Sequence, residues 1–265
     1  MPSSLVRDAD RQLIDRERTA LDALRGVLAA TGASPDSIEA LDRSIRQLDG
    51  LFLLVVAGEF NAGKSAFINA LVGQPLLEEG VTPTTAQVHL LQYGETRSRV
   101  EQSAHLHVIT APVALLRDMH LVDTPGTNAV IREHEAITSA FLPRADLVLF
   151  VTSVDRPFTE SERQFLTGIR EWGKKIVIVL NKVDLIESPD ALQQVVAFVA
   201  EGARRFLGVE PEIFPVSARL ALRAKTGQPE LLAASRFEAL EAYVFGRLDE
   251  RERLRLKLAN PLGVG

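Results

Sequence analysis

The sequence predicts an α/β domain in three layers, a mainly parallel central sheet covered on both faces by helices, with further helices at the two ends of the chain that either pad the sheet or pack together as a partial bundle. Three observations lead there. Short, wholly apolar runs recur along the middle of the chain, and helical stretches separate most of them. The first run passes directly into a glycine-containing turn and an amphipathic segment, "LFLLVVAGEFNAGKSAFINALVG" at residues 51–73. Strands this apolar are covered on both faces, as a parallel sheet with helical crossovers requires.

The elements follow in order. Residues 4–30 place Leu5, Ala9, Leu13, Ala20, Leu24 and Leu28 at mostly helical spacing with charges between them, an amphipathic helix. "TGASPDS" breaks it, and a second helix runs over 37–48 until Asp49-Gly50. Strands are expected at 51–57, 87–93, 118–123, 146–152, 175–181 and about 212–216, with helices at 64–72, 131–141, 159–172 and 189–206. Thr159 followed by Glu162 is a capping box opening the helix at 159, and Ser235 with Glu238 forms a second. Beyond it Phe237, Leu240, Val244, Leu248, Leu254 and Leu258 keep an apolar stripe up to Pro261. The expected division is N-terminal helices over 1–50, the α/β domain over 51–234 and a C-terminal helix over 235–265, cut short where the chain stops still apolar.

Composition narrows the function. At 265 residues and 46% hydrophobic content the chain can build one large core plus an accessory element. A formal charge of -5 gives no support to non-specific binding of nucleic acid or anionic membrane, so nucleic acid is not an expected partner. Cysteine is absent, which removes disulfides and thiolate metal sites and fits a reducing compartment. Of the five histidines, only His105 and His107 lie close, alternating along a strand or edge; His89 reads as a surface residue of the second strand, and His120 and His134 stand apart. Zinc is therefore not expected. The N-terminus mixes both charge signs with no apolar core of a secretory signal, and no run reaches the roughly 18 apolar residues of a spanning helix, so the chain reads as soluble.

Gly58-Glu59-Phe60-Asn61-Ala62-Gly63-Lys64-Ser65 satisfies the phosphate-loop pattern, and it stands after a strand and before a helix, the context that gives the pattern meaning. Backbone N–H groups of Gly58 to Ala66 would face phosphate oxygens, Lys64 would reach the β and γ phosphates, and Ser65 would put a hydroxyl on magnesium. The base is chosen elsewhere. In "VLNKVDL" a carboxylate at Asp184 can accept from the N1–H and exocyclic amine of guanine, whereas adenine would leave it facing an acceptor, unpaired and buried, at a cost of about several kcal/mol. The stem of Lys182 can lie along the base, Asn181 can tie neighbouring loops together, and in "FPVSA" Ser217 and Ala218 follow the last strand, where the Ala218 N–H can donate to guanine O6.

"DTPG" closes the third strand. Asp123 can hold magnesium through a water and the Gly126 N–H can sense the γ-phosphate, a contact that hydrolysis would remove. In "EEGVTPTTAQVHLL" Thr82, Thr84 and Thr85 all lie near the place of a second hydroxyl on the metal; Thr85 is favoured and Thr84 second.

Taken together, "GEFNAGKSAFINALVG", "VTPTTA", "DTPGTNAVIREHEAITSAFLPRADLVLFVTSVDRPFTESERQFL" and "WGKKIVIVLNKVDL" resemble the G domain of the dynamin-like GTPases, in their bacterial, mitofusin-related branch. The resemblance covers roughly residues 37–260. It implies a P-loop NTPase G domain that binds GTP and GDP, hydrolyses GTP with magnesium, pairs face to face with a second copy across the nucleotides, and couples this to membrane fission, fusion or remodelling. Membrane lipid would be met through regions absent from this chain, and the place of action would be the cytoplasm, peripheral at a membrane. In such proteins helices before and after the G domain join as a neck.

Two departures matter. Where dynamin proper has a serine, this phosphate loop has Asn61, which resembles potassium-dependent G proteins whose asparagine helps ligate K+ beside the transferred phosphate. Where small G proteins hold the attacking water with a glutamine, this chain has Thr127, followed by Asn128. Slow turnover as a monomer and acceleration by a second G domain are the expectation. Arg132 and Glu133 after the switch, and Asp155 and Arg156 in "SVDRPF", are candidates for the paired face. A ribosome- or RNA-associated switch GTPase, or a nucleotide-gated scaffold, are the competing readings.

Overall fold

Along β1 (Phe52–Gly58) successive side chains point to opposite faces, and both sets are apolar, so the strand is buried over its whole length. In the computed structural model, which describes residues 8–48, 50–79, 87–103, 105–125, 141–170, 173–247 and 256, this strand lies inside an eight-stranded sheet. The others are β2 (Val88–Tyr93), β3 (Ser98–Ser103), β4 (Leu106–Ala111), β5 (Met119–Asp123), β6 (Leu147–Ser153), β7 (Ile176–Asn181) and β8 (Ile213–Pro215). Their order is β3-β4-β2-β5-β1-β6-β7-β8. β5, β1, β6, β7 and β8 run parallel, so their C-terminal ends share one rim, while β2 runs antiparallel to β5. Buried Asp146 accepts from Leu53 N at 2.8 Å and so ties the start of β1 to the start of β6.

The alternation along β1 sorts residues into two cores. Phe52, Leu54 and Val56 pack with Phe67 and Ile68 of α3 (Lys64–Val72) on one face. Leu53, Val55 and Ala57 pack on the other with Leu166 and Ile169 of α4 (Glu160–Arg170) and with Val199 and Ala203 of α5 (Pro189–Leu207). The first core also takes Ala218 and Ala221 of α6 (Ala218–Lys225) and, from the tail, Phe237, Leu240, Tyr243 and Val244, with Leu256 against it. The N-terminal helices span Asp8–Ala30 and Pro35–Leu48, and Arg25 reaches from the first to Asp42 of the second at 3.0 Å. Leu24 and Val27 stay exposed.

The three-layer, mostly parallel architecture and all six expected strands are present. The hairpin β3–β4 is additional, and its outer strand is exposed throughout. The Thr159–Glu162 capping box forms reciprocally: Thr159 N donates to Glu162 Oε2 at 3.1 Å and Glu162 N to Thr159 Oγ1 at 3.4 Å. The expected box at Ser235 and Glu238 does not form as such. Arg236 between them takes a left-handed φ of 56°, and the Ser235 hydroxyl instead accepts from Phe237 N. His89 is a second correction: it is buried, because its face of β2 is covered by the neighbouring strands' polar side chains and not by water. The helix expected at 131–141 lies outside the described residues but for Phe141.

Candidate nucleotide site

The candidate site collects at the C-terminal rim of the parallel strands, where open α/β sheets offer their crevice. Its floor is the turn from β1 into α3. A Cβ on Gly58 would lie 2.0 Å from Val151 O of β6, so the first loop position admits no side chain. Asn61 is exposed at φ 64°, a left-handed conformation that asparagine tolerates, and Gly63 follows at φ 89°. Ala62 is buried, and Ala66 turns its methyl toward the first core. Lys64, the first residue of α3, is buried, with Nζ donating to Gly58 O and Glu59 O at 3.0 Å each. Burial pushes its pKa down, opposed by the carboxylates of Asp123, Glu162 and Glu59. The ammonium thus rests on carbonyls of its own loop, poorly solvated and surrounded by negative charge.

Asp123 ends β5 beside this loop. Ser65 Oγ donates to Asp123 Oδ2 at 3.4 Å, while Asp123 Oδ1 is buried with no hydrogen-bond partner among the described residues. A lone buried carboxylate oxygen next to a hydroxyl, below an N-terminal helix turn, is a donor set suited to magnesium and its water, and the residues fit that ion. Thr82, Thr84, Thr85 and Gly126, the remaining candidates for metal and γ-phosphate, lie outside the described residues, as do Thr127, Asn128, Arg132 and Glu133.

The base-reading candidates stand one strand beyond. Buried Asn181 at the end of β7 donates from Nδ2 to Ala62 O at 2.9 Å and accepts at Oδ1 from Ala218 N at 3.0 Å. It ties the phosphate loop to the start of α6, as expected of it. The same bond uses the Ala218 N–H, which the sequence reading assigns to guanine O6. Ser217 is the N-cap of α6, its hydroxyl accepting from Leu220 N at 3.2 Å. Lys182 adopts φ 66° and sends Nζ to Asp155 Oδ1 at 3.5 Å. Partial burial raises the Asp155 carboxyl, but the Ser153 hydroxyl and the Lys182 ammonium outweigh it and hold the pKa below the usual value. The Asp184 side chain is 10% exposed and receives Arg219 Nη2 at 2.6 Å.

Glu162 and Arg219 take parts in the site that their sequence patterns do not announce. Glu162 is read only as half of a capping box, yet it is buried and also accepts from Thr152 Oγ1 at 3.1 Å. Burial pushes its carboxyl up to about 7 against the hydrogen bonds from Thr152 and Thr159, and nearby Glu59 adds to the rise. The helix-side partner of Glu59 is Ser161, 3.3 Å away. Arg219 carried a signal, a cation next to "VSA", that could have been paired with Asp184. No group of His, Asp or Glu among the described residues is arranged as a separate metal cluster, and no described helix is long and apolar enough to cross a membrane.

Comparison with known proteins bears on this geometry. The family model described as 50S ribosome-binding GTPase matches residues 53–182. The chain is 35% identical over 284 residues to a probable transmembrane GTPase, FZO-like and chloroplastic, of Arabidopsis thaliana, covering 98% of this chain and 31% of that protein. It is 25% identical over 230 residues to a bacterial dynamin-like protein of Nostoc punctiforme, covering 70% of this chain and 33% of that one. The fold resembles a chain from a structure of an oligomerised bacterial dynamin pair, with TM-score 0.66, 19% identity, and coverage of 95% of this chain and 47% of the other. The chain spans about a third of the length of the two curated relatives.

Proposed function

Since the chain belongs to the dynamin superfamily of GTPases, we propose that it binds GTP and GDP with magnesium in this cleft and hydrolyses GTP to GDP and phosphate. The observation that carries the proposal is the Asn181 bridge, because one buried carboxamide holds the phosphate loop and the base-reading turn in fixed relation. Lys64 leaves its loop carbonyls for the β and γ phosphates, and the amides at the start of α3 face the same oxygens. Asp184 accepts from the guanine N1–H and amine, with Lys182 along the ring and Ser217 and Ala218 beside O6. Magnesium, when bound, neutralises charge on the β and γ oxygens; Ser65, Asp123 and Thr85, with Thr84 second, are the residues that would hold it. The Gly126 N–H reports on the γ-phosphate, and Asn61 is offered as a ligand for K+.

Two copies pair across the nucleotides and thereby raise turnover, and where the chain forms part of a longer protein this pairing drives remodelling of a membrane met peripherally from the cytoplasm. The N-terminal helices and the segment 235–265 serve as the neck on either side of the G domain over 51–234. The similarity to an oligomerised dynamin pair supports pairing, and the absence of a switch glutamine explains why a lone copy would be slow. The test is turnover per molecule across a wide range of protein concentration, in K+ and in Na+. It should rise with concentration and be faster in K+; a flat, cation-independent rate would overturn both points. The family model's ribosome-binding description favours a second reading, an RNA-associated switch, which the acidic balance of the chain opposes.

A further inference from the structure

Behind Asp123 the sheet carries a buried row of polar side chains that the nucleotide site does not use. His89 of β2 is the register partner of Asp123 across the antiparallel pair and of His107 across the parallel pair with β4. The two imidazoles meet edge to face with centroids 5.7 Å apart. Arg99 of β3 reaches inward over them: Nε and Nη2 lie 3.1 and 2.9 Å from His107 Nδ1, and Nη2 lies 3.5 Å from His89 Nε2. On the far side His89 Nδ1 stands 3.7 Å from Asp123 Oδ2, and both side chains are only 6% exposed.

We propose that His89 is a positioning residue for Asp123, with its ring tautomer set by Arg99. A guanidinium only donates, so the ring nitrogens that face it must accept. That places the ring proton of His89 on Nδ1, aimed at the Asp123 carboxylate. Oδ2 accepts from the Ser65 hydroxyl and has the His89 N–H 3.7 Å away, beyond hydrogen-bond reach, which leaves Oδ1 as the oxygen free to turn to a cation and its water. His89 Nδ1 and Asp123 Oδ1 both lack a hydrogen-bond partner among the described residues. Such buried atoms are costly to leave unpaired, and a gap of 3.7 Å lies within reach of a carboxylate rotation that would pair the first as the second takes a ligand. Partners of this kind orient a ligating side chain and typically change metal affinity about 10–100-fold when removed.

The inference rests on the reading of Asp123 as facing magnesium, so two readouts are needed. Nitrogen-15 chemical shifts of the ring in the metal-free protein test the tautomer without magnesium: Nδ1 should be the protonated nitrogen of His89, and Arg99→Met should release it into a mixture. Calorimetric titration of Mg2+ into GDP-loaded protein tests the consequence. His89→Phe should weaken Mg2+ about 10-fold or more, while His89→Asn, whose amide replaces the donor at the same branch, should stay within about 3-fold. If His89→Phe fails to fold, His89→Asn and Arg99→Met carry the same comparison. A His89 proton on Nε2, or equal Mg2+ affinity in the phenylalanine variant, would overturn the proposal. Absence of any Mg2+ binding in the unaltered GDP-loaded protein, with the Nδ1 tautomer present, would instead overturn the site reading and take the proposal with it.

Discussion

Gly63 passes so close to Asn181 that a Cβ on it would lie 2.4 Å from Asn181 Nδ2. The glycine is also at φ 89°, where a side chain is strained in any surroundings. Gly63→Ala should therefore displace the carboxamide and strand Ala62 O and Ala218 N together. A loss of about 2–4 kcal/mol in urea unfolding is expected from two buried groups left unpaired, with nucleotide affinity down about 100-fold. Asn181→Ala should reproduce the stability loss. An alanine at 63 that binds nucleotide like the parent would show that the loop does not depend on this bridge.

Lys64→Ala should abolish hydrolysis while leaving the empty protein folded. The ammonium is buried on loop carbonyls with its pKa pushed down, so the empty site gains little from the charge. The variant's own melting temperature should fall by no more than a few degrees. The stabilisation that GDP confers on the parent, about 3 kcal/mol at a hundredfold excess over Kd, should shrink sharply in a thermal-shift series.

Asp184→Asn should relax the base choice toward xanthine, because the amide donates where the carboxylate only accepts. The substitution also releases Arg219, but that guanidinium is 67% exposed, and an ion pair so placed contributes about 1 kcal/mol or less. Stability should hardly change while competition between GTP and XTP inverts. Full GTP preference in the variant would mean that the base is read elsewhere.

Glu162 supplies a pH dependence. Burial lifts its folded-state pKa from 4.5 to about 7, so the folded chain holds this proton more tightly than the unfolded chain. The stabilising contribution is complete below about pH 4.5 and is lost as pH rises through about 7. Glu162→Gln keeps the acceptor oxygen that Thr152 Oγ1 and Thr159 N both use and remains neutral at every pH. Its unfolding free energy relative to the parent should grow by about 2–3 kcal/mol between pH 5 and pH 8. Urea curves that stay parallel across that range would count against a buried, proton-binding Glu162.

Sequence made the sheet's interior legible because strands covered on both faces have little to mix with their apolar side chains; β1, β6 and β7 are apolar to the point of being unmistakable. Of the hairpin only β4 left a trace, in the alternation around His105 and His107; "SRVEQS" in β3 is exposed at every position and shows no alternation to read. The phosphate loop and the Asn181 bridge follow from a local pattern. His89 does not, because its burial depends on which residue an antiparallel neighbour sets opposite it, and register is a property of two strands together. Glu162 was legible as a cap and illegible as a buried acid for a similar reason: the covering comes from β6 and the phosphate loop, far away in the chain.

The two margins of the sheet bear on how copies of this chain can assemble. One margin is β3, six exposed residues carrying Arg99 and Glu101; the other is β8, three residues closing on Pro215, which has no N–H to offer. Charged side chains and a shift of register between Glu101 and Ser103 at one margin, and Pro215 at the other, make each a poor template for a ninth strand from another molecule. A polymer of this protein that grew through helices and loops could come apart by loosening side-chain contacts without tearing any main-chain ladder.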